Sequence, residues 1–176
     1  MIIKKIDFND EKAIYLIKKY CLLSAPFGEI DHLNSISSRE QSTIKYINEL
    51  KKCDLSICCL SDEGDYLFFI FLYNLNNGCL DLEFALPNTA NNPSTDLMRR
   101  CFYSLCLYGM DELNATEIIG TIRRQKKKNA YKVFLKRYIK AITYTENKDK
   151  KHDNVYLSKE SILNHREKLK AEGNWD

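Results

Sequence analysis

The alternation of apolar and polar residues along the chain predicts a mixed α/β domain. Short runs rich in β-branched and aromatic side chains, bounded by turn residues, indicate seven strands. The predicted strands are Ile2–Phe8, Leu55–Leu60, Tyr66–Tyr73, Cys79–Leu86, Glu117–Ile122, Ala141–Thr145 and Asn154–Leu157. The run at Tyr66–Tyr73 is apolar throughout, which is typical of a central strand covered on both faces. Short turns on either side of it favour antiparallel pairing with its neighbours.

Apolar residues at helical spacing predict five helices, at about 13–20, 38–50, 94–109, 128–137 and 158–171. Ser38, Ser94 and Ser158 stand at three helix starts, where a hydroxyl oxygen can accept a hydrogen bond from a free backbone N–H. Gly109 stands where a left-handed residue would end the long third helix. The order is therefore strand, two helices, three strands, helix, strand, helix, two strands and a final helix.

Composition narrows the class of protein. A chain of 176 residues suits one domain, and a net charge of +3 is too small to indicate a nucleic-acid partner by itself. No apolar run approaches the roughly 18 residues of a membrane span, and the N-terminus lacks signal-peptide features, so we expect no membrane association and a cytoplasmic location. The seven cysteines form no CxxC pair and no zinc-like cluster, so we expect reduced thiols and no metal site.

The order of elements resembles that of the GNAT N-acetyltransferases over residues 1–157. In that family a long helix starts after the fourth strand and ends near a glycine, and here Ser94 and Gly109 stand at that spacing. Further on, Ala130, Phe134 and Lys136 fit the intervals of a second family motif.

The resemblance implies a particular α+β fold. It is a mixed, mostly antiparallel sheet of about seven strands flanked by helices. It also implies that residues 158–176 form the C-terminal helix and tail of the same domain. In this family the sheet opens between the fourth and fifth strands, so we predict a V-shaped opening between Cys79–Leu86 and Glu117–Ile122.

The resemblance further implies that the chain binds acetyl-CoA or another acyl-CoA. The implied binding residues lie in the fourth strand, in the loop and helix start that follow, and after the fifth strand: Phe84, Ala85, Leu86, Asn91, Asn92, Ser94, Thr95, Arg123, Arg124 and Lys127. A helix N-terminus offers free amides and a partial positive charge, which suit a phosphate group. Backbone groups at the end of the fourth strand would pair with the pantetheine arm as with an added strand.

Two carboxylates of the fourth strand are candidate catalytic groups. Alternation places Asp81 and Glu83 on one face, and many GNAT enzymes use a glutamate of this strand to remove a proton from the acceptor amine. The alternative is a pair of solvated strand carboxylates. Tyr131 and Tyr138 flank Phe134, which occupies the position where the family often has a tyrosine that protonates the leaving thiolate. Either could take that role, or both could simply pack.

The loop between the first two helices contains Glu29, Asp31 and His32. In GNAT enzymes this region shapes the pocket for the acceptor, a small-molecule or protein amine. These residues are therefore candidate acceptor-binding groups, and the alternative is an ordinary polar loop.

The strongest local excess of charge lies in Arg123–Lys140, which contains nine basic residues and no acidic one. It could contact the phosphates of CoA, contact a nucleic-acid backbone, or form a solvated helix face.

The loop at 89–94 lacks the family's glycines, and Pro93 has no N–H to donate. Three functions consequently stay open: an acyl-CoA-dependent N-acyltransferase, a GNAT-like binding or regulatory module without catalysis, and a nucleic-acid-directed protein that modifies or binds its target.

Overall fold

Seven strands form one sheet in the computed structural model, which describes residues 1–24, 44–85, 94–123, 139–146 and 152–175. The strands are β1 (Ile2–Lys5), β2 (Leu55–Leu60), β3 (Tyr66–Asn76), β4 (Cys79–Ala85), β5 (Glu117–Arg123), β6 (Thr143–Glu146) and β7 (His152–Ser158). Their order across the sheet is β1-β2-β3-β4-β5-β7-β6. Every neighbouring pair is antiparallel except β4 and β5, which run parallel. The predicted mixed, mostly antiparallel sheet is confirmed.

Helices cover both faces of this sheet. Within the described residues they are α1 (Glu11–Ser24), α2 (44–50), α3 (Thr95–Glu112) and α4 (Lys159–Ala171). None of these helices is long and apolar enough to span a membrane. The predicted helix at 128–137 lies outside the described residues, as does the predicted cap at Ser38.

The apolar strand β3 is central, as predicted, because it packs against helices on both faces. Phe68, Ile70 and Leu72 face the core beneath α3, and Phe69 and Phe71 face the core beneath α1 and α2. All five side chains have 0% exposure. Burial of such side chains contributes roughly 2 kcal/mol each, so this strand anchors the two halves of the core.

The predicted helix starts agree with the structure where it describes them. The Ser94 hydroxyl accepts a hydrogen bond from the Leu97 N–H at 3.2 Å. The Ser158 hydroxyl accepts one from the Ser161 N–H at 3.0 Å. The helix that follows Ser158 buries Ile162 in the core beneath α3, which fixes the C-terminal segment to the rest of the sheet.

The predicted end of α3 at Gly109 is wrong. The helix continues to Glu112, and the left-handed residue after it is Asn114, with φ of 52°. Gly109 lies inside the helix where α3 packs closely on β3, since a Cβ added there would lie 2.2 Å from Leu72 Cδ1. The glycine is therefore required by packing and not by a helix cap.

Strand ends differ from the predicted ones by a few residues. The first strand ends at Lys5 and not at Phe8, because the Asp7 carboxylate accepts a hydrogen bond from the Asn9 N–H and closes a turn. Strand β3 extends beyond its predicted end to Asn76 and is joined to β4 by Asn77 and Gly78, which both have positive φ. This tight turn fixes the register of β4, and so the position of its carboxylates.

Candidate active site

The sheet opens between β4 and β5. The two strands pair only at Cys79–Glu117, Leu80–Ile118 and Asp81–Ile119. Beyond these pairs β4 stays paired with β3 as far as Ala85, and β5 stays paired with β7 as far as Arg123. Since each strand follows a different neighbour, they part after Asp81. The predicted opening is confirmed.

Glu83 lies on the open part of β4. Its partner on β3 is Phe71, whose side chain belongs to the core beneath α1 and α2, so Glu83 faces that side of the sheet. The residue is half-buried, and burial raises the pKa of its carboxyl to about 8, while a hydrogen bond from the Phe84 N–H opposes the shift. No cation contributes to this shift among the described groups. Glu83 can therefore gain or lose a proton near neutral pH.

Asp81 occupies the closed end of the opening. Its partner on β3 is Tyr73, and it accepts a hydrogen bond from the Asn74 side-chain amide at 2.8 Å. Burial raises the pKa of Tyr73 to about 12, and the negative charges of Glu83 and Asp81 add to the shift. Both carboxylates thus act on one tyrosine, as the predicted shared face requires. Asp81 is held by a hydrogen bond, and burial displaces the pKa of Glu83.

The start of α3 follows the end of β4 along the chain, after residues 86–93. Ser94 is exposed and Thr95 is half-buried at this helix N-terminus. In the first turn Asp96 pairs with Arg99 at 2.7 Å, so that carboxylate is already bound by a cation. The Phe84 ring lies 5.8 Å from the rings of Phe68 and Phe102, so its side chain packs against the core beneath α3.

Comparison with solved structures identifies the fold. No protein-family model matches the sequence, and a search of the curated proteins finds no match. Solved structures do match along nearly the whole chain. An aminoglycoside 6'-acetyltransferase type Ii has a TM-score of 0.61 at 11% identity, covering 90% of this chain and 97% of that one.

Two further structures give the same result. Spermidine N-acetyltransferase from Vibrio cholerae, in complex with CoA and spermine, has a TM-score of 0.60 at 12% identity, covering 92% of this chain and 97% of that one. Campylobacter jejuni N-acetyltransferase PseH, in complex with acetyl coenzyme A, has a TM-score of 0.57 at 14% identity, covering 90% and 99%. The chain has the GNAT fold.

Within this GNAT fold, several residues predicted for the site lie outside the described residues. They are Glu29, Asp31, His32, Leu86, Asn91, Asn92, Arg124, Lys127, Tyr131 and Tyr138. Ala85 and Arg123 are described as strand residues, at the open ends of β4 and β5. Their roles stay predictions.

Two residues near Glu83 were missed by the sequence analysis. Tyr73 lies opposite Asp81, and the pKa of the Cys53 thiol is raised to about 11 by burial and by the charges of Asp54 and Glu83. The signal for Tyr73 was present, because the Asn77–Gly78 turn brings it opposite Asp81. The proximity of Cys53 depends on how β2 is reached from α2, and no local pattern encodes that. In the described part of the chain, no group of three His, Cys, Asp or Glu side chains is placed to hold a metal ion.

Proposed function

We propose that this chain is an acyl-CoA-dependent N-acyltransferase that transfers an acetyl group, or another acyl group, to an amine by direct attack. The observation that carries the proposal is Glu83, a half-buried carboxyl with a pKa near 8 at the opening between β4 and β5. The GNAT fold supports it, as do the structural neighbours that contain CoA or acetyl-CoA.

The described residues fit an acyl-CoA in two respects. Residues of β4 beyond Asp81 have no partner on β5, so their backbone can pair with an extended pantetheine arm. The N-terminus of α3, capped by Ser94, offers amides and a partial positive charge to a pyrophosphate. The proposed contacts are the backbone of Phe84, Ala85 and Leu86, the groups of Asn91, Asn92, Ser94 and Thr95, and the cations Arg123, Arg124 and Lys127. The cofactor supplies the acyl group as a thioester.

Glu83 then has a defined task. An amine attacks only when its nitrogen is neutral, so a base must first remove the proton of the ammonium form. A carboxyl with a pKa near 8 is much better matched to an ammonium group than one of ordinary pKa, because the unfavourable proton transfer becomes smaller. Asp81, nearer the closed end, is the alternative base. Tyr131 or Tyr138 is proposed to return a proton to the departing thiolate.

The proposed acceptor is a small molecule with an amine. Two structural neighbours are named for such substrates, spermidine and aminoglycosides. Asp81 lies on the same face as Glu83, and its carboxylate attracts a cationic amine towards the opening. Glu29, Asp31 and His32 are proposed to line the remaining side of the acceptor site.

The test is the variant Glu83→Gln, which keeps the shape of the side chain and removes the base. We expect the rate of acyl transfer to fall by about 10²–10⁴-fold, with little change in the affinity for acetyl-CoA. The rate is measured as thiol release from acetyl-CoA with a panel of amines, and the affinity by calorimetric titration with acetyl-CoA and free CoA. Glu117→Gln, an exposed carboxylate on β5, is the matched control and should keep the full rate.

The pH dependence sharpens this test. In the wild type, kcat/KM should rise with pH up to about 8 as Glu83 ionises. The part of the pH–rate profile that reports ionisation of the amine should shift when the acceptor has a different amine pKa. The part that reports ionisation of Glu83 should stay at the same pH. An unchanged profile in Glu83→Gln would assign the base to Asp81 or to a water chain. Tight CoA binding without turnover of any amine would favour the binding module, and no CoA binding at millimolar concentration would contradict the proposal.

A further inference from the structure

Two thiols meet in the core between β2 and α3. Cys59 and Cys101 both have 0% exposure, and their sulfur atoms lie 3.5 Å apart, with the Cys59 thiol donating a hydrogen bond to the Cys101 sulfur. All six cysteines whose side chains are described are free. Two other buried cysteines on the same elements, Cys58 and Cys106, have no such thiol partner: the Cys58 thiol donates to the Lys4 carbonyl, and burial alone sets the pKa of Cys106.

The N-terminal residue forms part of the cover over this pair. The Cys101 thiol donates a weak hydrogen bond to the Met1 sulfur at 3.6 Å. Met1 itself is 47% exposed, and its amino group is held by an ion pair with the exposed carboxylate of Asp62. Since such an exposed pair contributes little stability, Met1 can move aside at small cost and admit a small solute to Cys101.

The surroundings of the two thiols shift their pKa values in opposite directions. The hydrogen bond from Cys59 lowers the pKa of the Cys101 thiol, and Arg100 and the N-terminal amino group lower it further, against the effect of burial. The same hydrogen bond and burial raise the pKa of Cys59. Cys101 is thus the thiol that ionises first, and the thiolate is the form of cysteine that reacts with oxidants.

We propose that Cys59 and Cys101 are an oxidisable dithiol pair that closes to a disulfide when a hydroperoxide reaches Cys101. The Cys101 thiolate attacks one peroxide oxygen, the O–O bond breaks, and the departing hydroxide takes up a proton and leaves as water. Cys101 is then a sulfenic acid. The Cys59 sulfur gives up its proton and attacks the Cys101 sulfur, the S–O bond breaks, and a second water leaves. Two thiols are oxidised by two electrons, and one hydrogen peroxide is reduced to two waters.

Closing the pair has a structural effect. A disulfide requires a sulfur–sulfur distance of about 2.05 Å, so the sulfur atoms must approach by roughly 1.5 Å. Side-chain rotation and a small shift of α3 towards β2 can supply this movement. Oxidation therefore links β2 covalently to α3, and a thiol reductant reverses the link.

The test treats the folded, full-length chain with hydrogen peroxide, blocks the remaining thiols by alkylation, and maps the peptides by mass spectrometry. We expect two thiols to be lost, the intact mass to fall by about 2 Da, and one linked peptide pair to contain Cys59 and Cys101. Dithiothreitol should restore the original mass. Cys59→Ala should stop at the sulfenic acid of Cys101, and Cys101→Ala should lose the reaction.

The matched controls are Cys58→Ala and Cys106→Ala, because these residues are equally buried on the same two elements. Both variants should form the Cys59–Cys101 bridge as the wild type does. Should any variant fail to fold, the wild-type peptide map alone decides. A folded wild type that keeps all its thiols in peroxide, or that joins any other two cysteines, overturns the proposal.

Discussion

Glu83 carries a carboxyl whose pKa is raised well above its ordinary value of 4.5, and such a shift acts on stability as well as on catalysis. Between about pH 4.5 and pH 8 the folded state binds more protons at this site than the unfolded state does. The free energy of unfolding therefore falls as pH rises through this window, and the loss is complete above pH 8. The slope from this one group is at most about 1.4 kcal/mol per pH unit.

Glu83→Gln should accordingly remove this dependence. We expect the variant to resemble the wild type at pH 5 and to be more stable than it at pH 8, because glutamine mimics the neutral carboxyl and has no charge to bury. Urea midpoints at pH 5, 6, 7 and 8 measure the difference, in which the effects of all other carboxylates cancel. Parallel stability curves for the two proteins would show that the carboxyl has an ordinary pKa.

The contrast between Glu83 and Asp81 also shows what local sequence encodes. Alternation along β4 places both carboxylates on one face, and the structure agrees. Their surroundings depend on the fold beyond β4: the Asn74 side chain donates a hydrogen bond to Asp81, whereas burial raises the pKa of Glu83 against a hydrogen bond from the Phe84 N–H. That distinction needs the register of β3 against β4.

At the scale of elements, the close approach of α3 to β3 makes Gly109 a sensitive position. Replacing it by alanine adds a methyl group that would meet Leu72 at 2.2 Å. Helix propensity favours alanine by about 1 kcal/mol, but overpacking a filled core typically costs 1–3 kcal/mol or more. We expect Gly109→Ala to lower the free energy of unfolding by about 1–2 kcal/mol, measured by denaturant titration.

A double-mutant cycle supplies the control for that prediction. Leu72→Ala alone should destabilise by about 2–5 kcal/mol because it leaves a cavity. In that background the methyl group added at position 109 has room, so Gly109→Ala should be neutral or stabilising. Equal destabilisation in both backgrounds would mean that Gly109 is required for a reason other than Leu72.

The sequence predicts the helices and strands better than it predicts the contacts between them. The order of the strands along the chain and the central position of β3 follow from apolar runs and turns, which are local signals. A glycine near the end of a helical pattern, however, has two explanations: it can form a left-handed cap, or it can let the helix pack closely on a neighbouring element. Only the contact with Leu72, which lies on another element, distinguishes between them. The Cys59–Cys101 contact was missed for the same reason, because it joins positions that share no local pattern.

At the scale of the whole molecule, the distribution of charge decides between the remaining functions. The basic segment Arg123–Lys140 contains nine cations and begins at Arg123, the last residue of β5. If Arg123, Arg124 and Lys127 contact CoA phosphates, replacing one should weaken CoA more than dephospho-CoA or pantetheine. Calorimetric titration of each single alanine variant with the three ligands measures this.

A nucleic-acid role gives a different result. Many cations would then share one phosphate backbone, so single changes should act weakly and alike, and log affinity should fall steeply with log salt concentration. Undetectable CoA binding at millimolar concentration, together with tight and salt-sensitive binding of DNA or RNA, would reverse our choice. Unaffected ligand binding in every variant would identify a solvated face.

The three residue pairs that join β4 to β5 also divide the sheet into two blocks. On one side of them lies the antiparallel block β1–β4, and on the other the block of β5, β7 and β6. All other strand pairings among the described residues fall within one block or the other. The core beneath α3 contains side chains of both blocks, such as Leu72 and Val155, so burial of apolar surface holds the blocks together where backbone pairing stops.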